Sequence, residues 1–250
     1  MLTRSSPDAP AALAQARDGL ARCELDSRAL YRLMTWFSPA YPVGAFSYSS
    51  GIEWAVEAGD ICDGATLQSW LAVMIAEGGG YCDAVLFAHA WRAAGAGDDG
   101  ALRGLAELAV ALAPSKERHL ETTAQGHAFL DTTRAAWHSP ALDRLAALAE
   151  DAVALPVAVG AACAGHRIGL LPSLHCYLHS LAANLVSAGV RLIPLGQSEG
   201  QRVLAALEPV VTATAERALV TALDDIGGAA MRADLASMRH ESQHTRLFRS

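Results

Sequence analysis

Histidines, carboxylates and cysteines are the residues of this 250-residue chain that could do chemistry, and a few stand at spacings that invite it. His240-Glu241-Ser242-Gln243-His244 fits H-E-x-x-H, a spacing that on a helix aims two imidazoles at one zinc ion with the glutamate as general base. A catalytic zinc wants a third protein ligand. Only six residues follow His244, and none is His, Asp, Glu or Cys. The motif also sits in a polar tail, not in a preorganised site, so a chance match or an interaction segment is the expected reading. His175 and His179 repeat the i, i+4 spacing with Cys176 between them, but no carboxylate or thiolate at ligand spacing joins them. They read as the polar edge of a packed helix. Cys163 and His166 lie in an Ala/Gly-rich apolar segment where nothing would stabilise a thiolate. Glu53 and Glu57 read as two carboxylates sharing a solvated helical face. No metal-binding set and no catalytic set emerges from these residues.

Composition excludes further classes. Lys116 is the only lysine, and Pro114 and Ser115 precede it where a phosphate-binding loop needs a glycine-rich run. The net charge of -7 and the absence of a Lys/Arg cluster argue against nucleic acid. Five cysteines (Cys23, Cys62, Cys82, Cys163, Cys176) without a CxxC pair argue against a disulfide framework and a thiolate zinc site, and fit reduced thiols in a cytoplasmic protein. The first residues lack the apolar stretch of a signal peptide. Ile168 to Val190 carries no charged side chain, yet its histidines, asparagine, serines, glycine and proline mark a buried helix with a polar edge, not a membrane span. Hydrophobic residues make up 52% of the chain and the mean hydropathy is +0.22, so part of the apolar surface is expected to be covered by partners.

The elements that must position these residues read as helices. Ser27 caps a segment with Leu30, Leu33, Met34 and Phe37 on one face, stopped by Ser38-Pro39. Asp63 and Thr66 precede Leu67, Trp70, Leu71, Met74 and Ile75, ended by the glycines at 78–80. Leu102, Leu105, Leu108 and Leu112 mark another helix. Leu142, Leu145, Leu148, Ala152 and Leu155 mark a third, and Leu178 to Leu192 a long one halted before Pro194. From Gly196 to about Leu223 a helix is expected with a kink at Pro209. Val153 to Val159 is the best strand candidate, and Pro156 weakens it. The expectation is an all-α, single-domain bundle of about ten helices: a mobile arm over residues 1–26, a helical body over 27–235, and a docking tail over 236–250. The tail is basic and polar, with no apolar stripe to pack it on its own core, and is expected to be disordered or to order only on a partner.

Three segments demand a specific role. Residues 38–53 (SPAYPVGAFSYSSGIE) combine turn-forming Gly and Pro with aromatics that need pockets. In residues 190–201 (VRLIPLGQSEGQ), a charged Arg191 sits among apolar residues and wants a partner. The third is the ending, SMRHESQHTRLFRS. Together they resemble the urease accessory protein UreF family: SPxxPVGGFSYSxGLE, VxAxVRLIPLGQxxGQ and a terminal SMxHExxxxRLFxS, in that order. Ala45 stands where the first motif usually has its second glycine, a change that costs about 1 kcal/mol if the position is left-handed.

The resemblance implies a helical, dimerising, non-catalytic protein that binds UreD (also called UreH) and the nickel-carrying GTPase UreG, and acts with them on apo-urease. Nickel is then cargo of the complex, and no cofactor is expected on this chain. By motif position, the resemblance implies a UreG-facing surface formed or supported by Tyr48, Glu53 and Arg191. It implies a UreD-facing tail carrying His240, Glu241, Arg246, Leu247, Phe248 and Arg249. A zinc hydrolase using the tail, or a membrane or chromophore-binding bundle, is the rival class.

Overall fold

A computed structural model describes residues 26–149 and 152–250, so the arm expected over 1–26 lies outside the described residues except for Asp26. The described chain is all-helical. The first two helices, α1 (Ser27–Trp36) and the short α2 (Ile52–Glu57), are linked by the Pro/Gly/Ser-rich segment, which contains a 3-10 turn at Ala45–Ser47. Asp26, not Ser27, caps α1 by accepting the N–H of Ala29. The buried face of α1 is Ala29, Leu33 and Trp36, while Leu30 and Met34 look outward. The large indole decides the rotation: Trp36 makes edge-to-face contacts with Phe129 and Trp137 that no rotation burying Leu30 would keep.

Next come α3 (Gly64–Glu77) and α4 (Gly79–Ala96). A reciprocal capping box between Asp63 and Thr66 starts α3, which buries Leu67, Leu71 and Ile75 as their spacing requires. Gly64–Ala96 is long and apolar enough to cross a membrane by length and composition, but it is broken at Gly78 and half buried in the core. The chain continues through α5 (Asp99–Ala111), α6 (Lys116–Ala136), α7 (Pro140–Leu148) and α8 (Leu155–Gly165). The single helix expected across Leu142 to Leu155 is thus two. Pro156 has no N–H to give to a helix interior and sits instead in the first turn of α8, which also removes the strand candidate at Val153 to Val159.

The remaining elements are α9 (Leu170–Leu192), α10 (Gln197–Ala206), α11 (Glu208–Val220) and α12 (Met231–His240). Pro209 falls in the first turn of α11, so the expected kink is a full break at Leu207. One continuous core runs through the body, with α4 packed most closely on α8 and α9 crossing both α4 and α11. The α12 helix spans the expected body–tail boundary at 235/236 and packs on α2 and α6.

Candidate functional site

The site is built where α2, α6 and α12 meet. Gly51 enters α2 at φ +82°, and a Cβ there would come within 2.5 Å of the Ser237 nitrogen. Glycine is therefore what lets α12 lie directly on the start of α2. Gly44 carries the other left-handed turn of this loop at φ +73°. Ala45 begins the 3-10 turn at negative φ, so the cost foreseen for replacing a glycine there does not arise.

Glu53 is the centre of the arrangement. It is buried, not solvated, and its side chain accepts the N–H of Leu247 at 2.6 Å and of Phe248 at 2.9 Å. His240 Nε2 lies 3.1 Å from Glu53 Oε2, and His240 Nδ1 lies 2.6 Å from Glu117 Oε2. Arg246 donates to the other oxygen of Glu117 at 2.8 Å. Around this core, Glu241 accepts the N–H of Lys116 at the start of α6, and Gln243 donates to Glu57. Ser115, the N-cap of α6, shares a hydrogen bond with Ser237 at 2.7 Å.

The last residues run back across the first loop. Ser49 donates through both its N–H and its hydroxyl to the backbone oxygen of Ser250, Arg249 donates its N–H to Ser47, and the Ser250 hydroxyl donates to Glu121 at 2.9 Å. Phe248 is buried beneath the Arg191 guanidinium, 4.3 Å from the ring centre. Arg191 also donates to the carbonyl of Phe46, as Asn184 does to that of Ala45. All three motif segments therefore converge on one junction. The expectation that the tail has nothing to hold it on its own body is corrected. It is held by directional polar contacts and a single inserted aromatic, neither of which leaves a periodic apolar stripe.

Of the residues assigned by motif, Tyr48, Glu53, His240 and Phe248 are buried, so they support a surface and do not form one. Burial pushes the Tyr48 phenol up, with Arg249 opposing. Arg191, Arg246, Leu247 and Arg249 are exposed, and Glu241 is half-buried. Phe46 and Leu247 are the large apolar side chains left open beside them.

Sequence reasoning missed the second layer beneath the junction. Arg118 lies 2.6 Å from Glu121 and donates to Ser50, and Tyr177 donates to Asp83 at 2.9 Å. Burial raises the Asp83 carboxyl to about 6, with Arg118 opposing. Asp83, Arg118 and Thr122 line both of two neighbouring cavities of about 160 and 280 Å³. The one sequence signal was α6 itself, a long helix with few large apolar residues that nonetheless buries Glu117, Glu121, Thr122, Gln125 and Thr133.

The residues weighed for catalysis are placed as follows. The α12 helix ends at His240, His244 is exposed beyond it, and both ring nitrogens of His240 face carboxylates, so the two histidines do not form the helical pair that H-E-x-x-H requires. Burial pushes the Cys163 thiol up to about 12, away from any nucleophilic use near neutral pH. His166 donates its Nε2–H to the Trp137 carbonyl at 2.9 Å. Burial lowers the affinity of His175 for a proton, and its neighbour across the helix turn, His179, is exposed.

The sequence model of the UreF family matches residues 61–208. The chain is 60% identical over 235 residues to the urease accessory protein UreF of Rhodopseudomonas palustris strain BisB18, covering 94% of this chain and 98% of that protein. It is 62% identical to the protein of the same name from R. palustris strain HaA2, over 88% of this chain and 93% of the relative. It is 62% identical to that of Bradyrhizobium sp. strain BTAi1, over 92% and 95%. Identity at this level over nearly the whole length of both partners leaves one assignment: the chain belongs to the UreF family of urease accessory proteins.

Proposed function

We propose that this chain serves urease maturation in the cytoplasm as a non-catalytic scaffold, binding UreD (UreH) and recruiting and regulating the GTPase UreG for nickel insertion into apo-urease. The observation that carries the reading is the junction. Three sequence-distant segments are drawn into a rigid, buried ionic core whose rim exposes Arg191, Arg246, Leu247, Arg249 and Phe46. A preorganised polar base under exposed apolar and arginine side chains is what a binding surface needs, since such anchors contribute most where they are held in place. In this reading Tyr48 and Glu53 support the UreG-facing surface and Arg191 forms part of it. His240, Glu241 and the buried Phe248 fix the UreD-facing tail, which presents Arg246, Leu247 and Arg249.

Two apolar faces add room for partners. Met231, Leu235 and Met238 are exposed at i, i+4 and i+7 on α12, and Leu30, Tyr31 and Met34 are exposed on α1. Faces of this kind fit helix-to-helix docking, including pairing of two copies of this chain.

The test is co-expression with the cognate UreD and UreG followed by size exclusion, with Leu247→Ser and Arg191→Ala run beside the wild type. Both side chains are exposed, so the fold is expected to survive either change. The wild type should elute as a ternary complex, Leu247→Ser should lose UreD, and Arg191→Ala should lose UreG. A folded wild-type chain that binds neither partner would sink the scaffold reading.

A further inference from the structure

The junction holds two buried carboxylates and one buried imidazole in an arrangement that counts protons. Glu53 and Glu117 are largely buried, and His240 is completely so. A neutral imidazole carries one N–H and one lone pair. Here both ring nitrogens face carboxylate oxygens, at 2.6 and 3.1 Å. With a neutral ring, one of those contacts would set a lone pair against a carboxylate oxygen.

The other contacts of both carboxylates are those of ionised acceptors. Glu53 already accepts the N–H groups of Leu247 and Phe248, and Glu117 already accepts Arg246. Charge gives the same answer. Two carboxylates and the Arg246 guanidinium leave one uncompensated negative charge in a desolvated place, and a charged imidazole cancels it. The groups facing His240 are Glu53 from α2, Glu117 from α6 and Arg246 from the tail. Glu57 is engaged by Gln243, Glu241 by the Lys116 N–H, and Glu121 by Arg118 in the layer beneath.

We propose that His240 is held as a doubly protonated imidazolium and acts as a proton-dependent pin, clamping the tail from Glu241 to Ser250 onto α2 and α6 while protonated and releasing it when the proton is lost. The pin is a property of this chain alone, and its test does not involve partner binding. Its direction is fixed by charge. The stabilisation is present while the ring carries both protons and is lost when one of them leaves. Strong acid also loosens the clamp, by protonating the carboxylates.

The experiment is long-range ¹H–¹⁵N NMR of the His240 ring in the uniformly labelled full chain between about pH 6 and about pH 9, the range a histidine switch covers. Amide exchange of Leu247 and Phe248 is followed in the same samples, normalised to core amides such as Phe87. At neutral pH both ring nitrogens should be protonated. Once the ring loses its proton, normalised exchange at Leu247 and Phe248 should rise about tenfold or more, the loss of hydrogen bonds to charged groups. His240→Gln should show the fast exchange at every pH, and His244→Gln should behave as the wild type. A ring with one bare nitrogen at neutral pH while the tail stays protected would overturn the proposal. So would a ring that titrates with no change in tail exchange. Both are read on the wild type, so they stand even if His240→Gln does not fold.

Discussion

The contact between α4 and α8 and the junction of α2, α6 and α12 hold the same molecule together by different means. Where α4 packs on α8 both helices bury small apolar residues: Ala84, Ala88 and Ala90 on α4, and Val157, Ala158, Gly160 and Ala161 on α8. The backbones lie so close that a Cβ on Gly160 would sit 2.7 Å from the Phe87 carbonyl oxygen. Burial and dispersion stabilise that contact without regard to direction. At the junction Glu53, Glu117, Glu121 and His240 are buried with Arg118 half-buried beside them, and these charged groups are held by directional hydrogen bonds and ion pairs. A loss in the first region is felt by the whole fold. A loss in the second is felt first by the tail.

The largest effect is expected in the apolar core that continues from the α4–α8 contact to α6. Phe129 is 1% exposed and packs against Trp36 and Tyr41. Phe129→Ala should lower the global unfolding free energy by about 3–5 kcal/mol in urea titration. A change under about 1 kcal/mol would mean that this part of the core is not close-packed, and the contrast with the junction would fail.

Asp83 lies where the two regions meet, and its effect depends on pH. Burial holds its folded value at about 6, above the 3.8 of an open aspartate. Between those values the folded chain keeps a proton that the unfolded chain has released. Its stabilising contribution is therefore full below the lower value and is lost as pH rises through about 6. Asp83→Asn removes that decline. Relative to the wild type, the variant should gain up to about 3 kcal/mol on going from about pH 4 to about pH 7, the worth of about two pH units. Parallel stability profiles for the two proteins would contradict the burial assigned to this carboxyl.

The same contrast explains what the sequence displayed. Helix α3 was legible because Leu67, Leu71 and Ile75 sit at helical spacing behind an Asp63–Thr66 cap. Periodicity weighs apolar residues alike, so it did not see that Trp36 outranks Leu30 and Met34 on α1, nor that Pro156 must open a helix and not continue one. The junction was legible only as motifs. Glu53, Glu117 and His240 are far apart in the chain, and a carboxylate on a short helix looks the same whether water or a backbone N–H fills its lone pairs. The resemblance to UreF named Glu53, Arg191 and the tail residues, and the structure adds that they touch. Asp83 and Arg118 had no motif to mark them.

The central claim is that the tail belongs to the fold of the isolated chain, gripped by Glu53. Amide hydrogen exchange of Leu247 and Phe248 in the purified full chain, at one neutral pH and without partners, tests it most directly. The account predicts that both amides exchange at least about tenfold more slowly than an unstructured chain, and that Glu53→Gln speeds them towards the unstructured rate. Exchange at the unstructured rate in the wild type would contradict it, and would return the tail to a segment that orders only on a partner.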